Sequence, residues 1–256
     1  MFFIFFKSSG KNFMPIQKIL SKFMNLLFPV KCVCCKKISG KSDGEDILCD
    51  SCRKNMLTEI TRNCRRCENP PPLCKCKRAE HINQIIFPYF YSGDKIRQAI
   101  YAVKRANLYY INEFFAKGMY NSLKISDKIK ISDIDFITNA PRKTESVKRY
   151  GYNQTESLAK IIAKYIGAPY LPVMKASKLY KTEQKSLNKT ERAENVRNKF
   201  VFAGDIKKLK EKINGKNILI IDDVVTTGST LSECARIMKN TGAASVCALC
   251  AAGVNN

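Results

Sequence analysis

The ten residues 221–230 constrain this chain more than any other part of its sequence. The apolar run leading into them is typical of a buried parallel strand, and two adjacent carboxylates, Asp222 and Asp223, stand at its carboxyl end. A small hydroxyl-rich loop follows and opens a helix, which Gly242 can end before a further apolar strand over 244–252. A strand, a helix and a second strand in this order predict a parallel sheet, so we expect an α/β fold.

The acid pair and the loop together suit a ribose 5-phosphate. Ligands of open α/β sheets bind at the carboxyl edge, where the free N–H groups of a loop and the positive end of a helix form a cradle for one phosphate. Asp222 and Asp223 can accept hydrogen bonds from two sugar hydroxyls or face a Mg²⁺ ion. The predicted phosphate-binding residues are Thr226, Thr227, Gly228, Ser229 and Thr230.

This stretch resembles the signature of the type I phosphoribosyltransferases, which bind phosphoribosyl pyrophosphate (PRPP). The resemblance implies that the acid pair holds the ribose 2- and 3-hydroxyls, that the loop holds the 5-phosphate and that Mg²⁺ accompanies PRPP. The alternative is a strand with two exposed acids ahead of an ordinary capped helix. A P-loop nucleotide site is excluded, because Cys35 stands where the first glycine should precede the Gly-Lys-Ser triplet at 40–42.

A basic loop supplies a further part of the predicted site. The residues 135–138 are typical of a strand, and Arg142 and Lys143 follow its carboxyl end. Because parallel strands end at the same edge of a sheet, this loop is expected beside Asp222, where it can hold the pyrophosphate of PRPP. Its positive charge would neutralise charge that grows as the C1–O bond breaks. The alternative is a solvated loop, and the sequence assigns no catalytic residue.

The chain has twelve cysteines, and nine of them fall between residues 32 and 76. Most of these nine form Cys-x₂-Cys pairs, in which a tight turn puts two thiolates on one side, and two such pairs complete a tetrahedral zinc site. The predicted zinc ligands are Cys32, Cys35, Cys49 and Cys52 at a first site, and Cys64, Cys67, Cys74 and Cys76 at a second.

Several points about the cysteines stay open. The second site departs from the usual spacing, because its last pair of cysteines has only one intervening residue. The prolines 70–72 also stiffen the link before that pair. We therefore expect one or two zinc ions. A disulfide framework is the alternative, but no export signal is expected and the cytoplasm is reducing. Cys34 lies outside the pairs and could substitute for Cys35. Core positions are predicted for Cys234, Cys247 and Cys250.

Taken in order, these pieces resemble the ComF (ComFC) family over about residues 26–252. Besides the cysteine-rich head and the 221–230 stretch, the resemblance is carried by the motifs 27–29 (Leu-Phe-Pro), 149–154 (Arg-Tyr-Gly-Tyr-Asn-Gln) and 184–196. ComF proteins are linked to natural transformation, where they are thought to assist handling of incoming single-stranded DNA in the cytoplasm. The implied partners are PRPP, single-stranded DNA and other DNA-uptake proteins. The alternative is an active phosphoribosyltransferase of nucleotide metabolism with an unidentified acceptor.

Charge is compatible with a nucleic-acid partner. Lys and Arg number 45 against 22 Asp and Glu, a formal net charge of +23. Such an excess favours polyanions, although a lysine-rich proteome gives the same excess with solvated lysines. The candidate DNA-binding positions are the basic stretches 62–66 and 175–189, with Tyr109, Tyr110 and Tyr180 as residues that could stack on bases.

The length of 256 residues allows one good core and a small additional module. We predict an N-terminal extension (1–28) with an amphipathic helix, a zinc-ribbon module (29–80) and a type I phosphoribosyltransferase-like domain (81–256), in which helices flank a parallel sheet. A polar stretch, 178–202, is predicted to be a mobile loop and short helix that closes over a substrate. No stretch is long enough and apolar enough to span a membrane.

Overall fold

The computed structural model describes residues 31–38, 48–52, 54, 64, 67–74, 76, 79–91, 94–105, 109–142, 147, 151–177 and 199–254. The predicted N-terminal helix, Lys143 and most of the predicted closing loop lie outside these residues. Within the described part of the chain, no helix is long and apolar enough to cross a membrane.

A parallel sheet forms the centre of the fold. The strands in the described residues are β1 (Ile85–Ile86), β2 (Tyr89–Phe90), β3 (Phe136–Asn139), β4 (Met174–Ala176), β5 (Phe200–Phe202), β6 (Asn217–Val225) and β7 (Ser245–Gly253). Strands β7 and β6 lie side by side in the middle, with β1 and β2 on the outer side of β7 and β3 on the outer side of β6, and all these pairs are parallel. The predicted parallel sheet is therefore confirmed.

Helices cover both faces of this sheet. They are α1 (Asp94–Arg105), α2 (Tyr109–Ile125), α3 (Gln154–Ile166), α4 (Ile206–Ile213) and α5 (Ser229–Lys239). Because side chains alternate along a strand, Leu219 and Ile221 pack with α1, α2 and α3, whereas Ile218 and Ile220 pack with α4 and α5. Strand β6 is accordingly buried on both faces from 218 to 221, which is why its sequence is a continuous apolar run.

A small hairpin stands beside the sheet. Strands β4 and β5 pair antiparallel, with Lys175 opposite Val201, and a hydrogen bond of 2.8 Å from the N–H of Ser177 to the carbonyl of Lys199 continues the ladder. The hairpin joins the sheet through Tyr170, which bridges β3 in parallel at Ile137. It therefore follows the edge of the sheet next to the loop that leaves β3.

The cysteine-rich head packs against both layers of the main domain. Cys32, Leu48 and Cys52 belong to the same buried cluster as α1, α2 and α3. Cys64 and Cys74 belong to the cluster on the other face, with α5. The division of the chain at residue 80 remains a prediction, but the head shares its apolar contacts with the domain that follows.

Candidate functional site

The acid pair lies at the carboxyl end of β6, as the sequence predicted. Asp223 is buried, with 7% of its surface exposed, and Asp222 is half-buried. Each is tied to the backbone that follows, since Asp222 Oδ1 accepts from the N–H of Asp223 and Asp223 Oδ1 accepts from the N–H of Val224, both at 2.8 Å. Burial, together with the neighbouring Asp223 carboxylate, raises the pKa of Asp222 to about 8. Two adjacent carboxyl groups, of which Asp222 has the raised pKa, suit a ligand that supplies hydroxyl donors or a cation.

The loop after β6 has the geometry of a phosphate cradle. Thr226, Thr227 and Ser229 are exposed, and the hydroxyls of Thr227 and Ser229 lie 3.2 Å apart. Gly228 has φ 72°, a left-handed conformation that glycine adopts at little cost, and this turn starts α5. Gly228 supplies no side-chain cap, and the N–H of Ser229 donates to Thr227 Oγ1 at 3.5 Å. The first N–H groups of α5 and the positive helix end can bind an anion here.

Arg142 connects the two predicted halves of the site. Strand β3 pairs directly with β6, so the loop after β3 reaches the acid pair, and the Arg142 guanidinium forms an ion pair with the Asp223 carboxylate. The side chains of Arg142 and Asp223 are 16% and 10% exposed, so the pair is largely shielded from water. The groups predicted to bind pyrophosphate and ribose thus lie together. Lys143 is outside the described residues.

A buried polar network that the sequence analysis did not predict holds this loop. The Asn139 amide nitrogen lies 3.1 Å from the Ala140 carbonyl and 3.3 Å from Thr155 Oγ1, while the Tyr170 hydroxyl donates to Asn139 Oδ1 at 2.7 Å. The Thr155 hydroxyl in turn lies 2.8 Å from Asn153 Oδ1, which caps α3. A buried Asn at the end of a strand was the available signal, because such an amide needs partners.

Tyr152 adds an aromatic group near Arg142. Its side chain is half-buried and hydrogen-bonds to that of Gln154. Burial raises the pKa of Tyr152 to about 12, against the smaller opposing effects of the Gln154 hydrogen bond and the Arg142 charge. The phenol therefore stays protonated at neutral pH and can donate a hydrogen bond to a ligand.

The eight predicted zinc ligands form two groups of four. In each group the four sulfurs lie within 4.8 Å of one another. The Sγ atoms of Cys35 and Cys49 are 3.6 Å apart, and those of Cys67 and Cys74 are 3.7 Å apart. Four thiolates at about 2.3 Å from a Zn²⁺ ion would be separated by about 3.8 Å, so both groups fit a tetrahedral zinc.

The first turns of the two groups have the same backbone hydrogen bonds. In each, the first cysteine donates its N–H to the carbonyl five residues later and accepts from the N–H four residues later. The residue after the second cysteine is left-handed in both, at Lys36 (φ 65°) and Glu68 (φ 55°). Although burial opposes ionisation, backbone N–H groups of Cys35, Cys49 and Cys34 that point at Cys32 lower its pKa to about 6. A thiolate at Cys32 suits metal binding, whereas burial and hydrogen bonds with the neighbouring thiols raise the pKa of Cys52 in the same group.

The second group assembles despite its unusual spacing. A 3₁₀ turn over Pro71–Leu73 leads directly into Cys74, and Cys76 Sγ comes within 3.7 Å of Cys64 Sγ. Cys34 belongs to neither group, because its thiol is buried and donates to the carbonyl of Lys95 at 3.5 Å. Cys234 and Cys250 are buried in the core as predicted, whereas Cys247 is half-buried.

A protein-family model matches the C-terminal part of the chain. Residues 154–255 match the model of the phosphoribosyl transferase domain, a range that contains the acid pair and the loop but begins after Arg142. Among solved structures, the hypoxanthine-guanine phosphoribosyl transferase of L. donovani is 17% identical, over 60% of this chain and 67% of that one, with a TM-score of 0.30. An allosteric regulatory enzyme of purine biosynthesis is 16% identical, over 55% of this chain and 25% of that one, with a TM-score of 0.35. By its family match and its parallel sheet, the chain contains a type I phosphoribosyltransferase-like domain.

Several relatives match most of the chain and not only its C-terminal part. Competence protein F of Haemophilus influenzae is 22% identical, over 84% of this chain and 93% of its own. DNA utilization protein YhgH of Escherichia coli K12 is 24% identical, over 84% and 88%, and competence protein ComFC of Streptococcus pneumoniae is 23% identical, over 77% and 78%. The chain is a homologue of the ComF, ComFC and YhgH proteins, as its motifs indicated.

Proposed function

We propose that the chain binds PRPP with Mg²⁺ at the carboxyl edge of its sheet. The observation that carries the proposal is that the acid pair, the 226–230 loop and Arg142 converge at the ends of two neighbouring strands. The loop would hold the 5-phosphate, Asp222 and Asp223 the ribose hydroxyls, and Arg142 the pyrophosphate. Lys143 is proposed for the pyrophosphate from the sequence alone.

The residues present fit a divalent cation that arrives with PRPP. Magnesium prefers carboxylate and phosphate oxygens, and two adjacent carboxylates stand at the end of β6. Bound Mg²⁺ would neutralise part of the pyrophosphate charge. Zinc fits the two cysteine groups of the head, where we propose a structural role because the ligands also pack in the core.

We further propose that the protein assists handling of incoming single-stranded DNA in the cytoplasm during natural transformation. The names of its relatives, competence protein F, competence protein ComFC and DNA utilization protein YhgH, support this proposal. The net charge of +23 favours a polyanionic partner. The motif resemblance to ComF proteins also supports DNA-uptake proteins as partners.

The PRPP site is tested by calorimetry with Mg²⁺ and the variant Asp223→Ala. A charged hydrogen bond to a sugar hydroxyl contributes ~1.5–3 kcal/mol, so PRPP and ribose 5-phosphate should both bind roughly tenfold or more weakly. Asp127→Ala removes an exposed carboxylate on the loop before β3, at the opposite edge of the sheet, and should leave both affinities unchanged. Equal affinity in Asp223→Ala and the parent would remove the ribose role from Asp223.

Pyrophosphate release in the presence of single-stranded DNA separates a binding module from an enzyme. Tight PRPP binding without release supports the binding role proposed here. Release that depends on an added acceptor would instead identify an active phosphoribosyltransferase.

A further inference from the structure

A cavity of about 730 Å³ lies next to the proposed PRPP site and shares Arg142 with it. It opens between the loop after β3, the beginning of α3 and the β4–β5 hairpin. Arg142 lines it, and so connects it to the acid pair through Asp223, but neither the acids nor the 226–230 loop line it. A cavity of this volume is in the range of small-ligand sites and can hold one nucleotide.

The walls of the cavity are mostly apolar. They include Pro141, Val147, Pro172 and Val201. The half-buried ring of Tyr170 joins them, and its orientation is fixed by the 2.7 Å hydrogen bond from its hydroxyl to Asn139. An aromatic ring held in place among small apolar side chains suits a flat ligand with two apolar faces, such as a nucleobase.

Charged and polar groups stand at the rim. Lys175 is exposed and lies on the cavity side of the hairpin, opposite Val201. At the α3 end, Glu156 and Asn153 line the cavity, and Lys160 bonds Glu156 at 2.7 Å while its Nζ lies 5.7 Å from the centre of the Tyr170 ring. A lysine at one end and a carboxylate with an amide at the other match a ligand that carries a phosphate and a base with hydrogen-bonding edges.

We propose that this cavity binds a nucleotide, with the base between Tyr170 and the apolar walls and the phosphate at Lys175. Asn153 and the Glu156–Lys160 pair stand at the polar edge of the base, where they offer both donors and acceptors and so select no one base. The nucleotide is either free or one unit of a single strand. The choice of a strand as its source rests on the proposed function, whereas the pocket itself does not require PRPP.

The proposal is tested with two probes, dCMP by calorimetry and a fluorescein-labelled dC₁₂ oligonucleotide by anisotropy. Val201→Trp fills the cavity from the same face of the hairpin as Lys175, and Lys175→Glu reverses the charge at its rim without touching the core. Lys130→Glu makes the same charge change at an exposed position that does not line the cavity. Binding should weaken about tenfold in the first two variants, because each loses a stacking site or a phosphate contact. In the control Lys130→Glu it should weaken less than about twofold.

The outcomes separate the possible ligands. A dCMP affinity equal to that for dC₁₂ identifies a free nucleotide, and binding of dC₁₂ alone identifies a strand. The proposal is overturned if neither probe binds the parent, or if both cavity variants bind like Lys130→Glu. Ribose 5-phosphate affinity, measured in parallel, should be unchanged in all three variants. If the parent binds dC₁₂ but not ribose 5-phosphate, the PRPP proposal fails while the nucleotide pocket stands.

Discussion

At the scale of single residues, the contact between Arg142 and Asp223 sets the energetics of the proposed site. Each of the two is assigned to a different part of PRPP, yet here they neutralise each other in a position that is largely shielded from water. PRPP can exchange this ion pair for a pyrophosphate–arginine contact and a ribose–carboxylate contact. Ribose 5-phosphate has no pyrophosphate. When it binds and Asp223 leaves the ion pair, the Arg142 guanidinium gains no new anionic partner.

We therefore expect Arg142→Gln to change the affinities for these two ligands in opposite directions. PRPP should bind about tenfold more weakly, because the cation beside its pyrophosphate is lost. Ribose 5-phosphate should bind roughly threefold to tenfold more tightly, because Asp223 no longer has to leave an ionic partner. Calorimetry with both ligands measures the two effects.

A matched control comes from the opposite edge of the sheet. Lys216 forms a 2.9 Å ion pair with Asp135, and Lys216→Gln should leave both affinities unchanged. A fall in the affinity for both ligands in Arg142→Gln would show that the ion pair does not oppose ribose binding.

At the scale of elements, the sequence predicted the strands and helices whose pattern is continuous, and missed those set by tertiary contacts. The apolar runs of β6 and β7 predicted both strands to within about a residue at their starts. The segment 85–90 forms the two short strands β1 and β2 and not one continuous strand, because Pro88 has no N–H for the ladder to β7. The β4–β5 hairpin was not predicted, since its pairing joins segments separated by the stretch 178–198.

The residues of the proposed site also divide into those that a sequence pattern predicts and those that only tertiary contacts place. Asp222, Asp223 and the loop follow from one local motif, and Arg142 follows from the rule that parallel strands end at one edge. Tyr170 and Thr155 could not be assigned, because their roles depend on hydrogen bonds to Asn139 across separate elements. The second cysteine group was in doubt from its spacing, and only the turn at Pro71–Leu73 shows how its sulfurs meet.

The element most open to a sharp test is the first cysteine group. We expect Cys52→Ser to lower the zinc content by one ion per chain, because a tetrahedral site loses one of its four thiolates. Leu48 and Cys52 pack in the core with α1, so the melting temperature should also fall by several degrees. Metal analysis and thermal unfolding of protein purified under reducing conditions measure both effects.

Cys34→Ser is the control, since this buried cysteine is two residues from Cys32 and belongs to neither group of four. It should keep the full zinc content. The assignment of the first site would be wrong if Cys52→Ser retained its metal, or if Cys34→Ser lost as much.

At the scale of the whole molecule, charge decides which partners approach. Between residues 81 and 256 there are 29 basic and 15 acidic residues, so the positive charge is not confined to the head. Helix α4 illustrates the distribution, because its lysines are all exposed and it carries one acidic residue, Glu211. A field of one sign spread over the surface attracts a polyanion without specifying its sequence.

We therefore expect sequence-independent binding of single-stranded DNA that weakens steeply as salt is raised. Each phosphate neutralised on a single strand releases bound counterion, so about five contacts would lower the affinity roughly a hundredfold between ~50 and ~200 mM salt. Anisotropy of labelled oligonucleotides of different sequence measures this slope. Saturating PRPP should change the affinity only a few-fold, because most contacts lie on the surface outside the cleft.

The variant that tests this surface reverses three lysines of the basic stretch 175–189, namely Lys181, Lys185 and Lys189, to Glu. These lysines lie outside the described residues and are chosen from the sequence. DNA affinity and its salt slope should both fall, because fewer phosphates are neutralised, while zinc content and PRPP affinity stay the same. Unchanged DNA binding in this variant would exclude the stretch as a DNA surface. Failure of the parent to bind DNA at ~50 mM salt would instead leave the charge as a property of a lysine-rich surface, and the partner in DNA uptake would then have to be a protein.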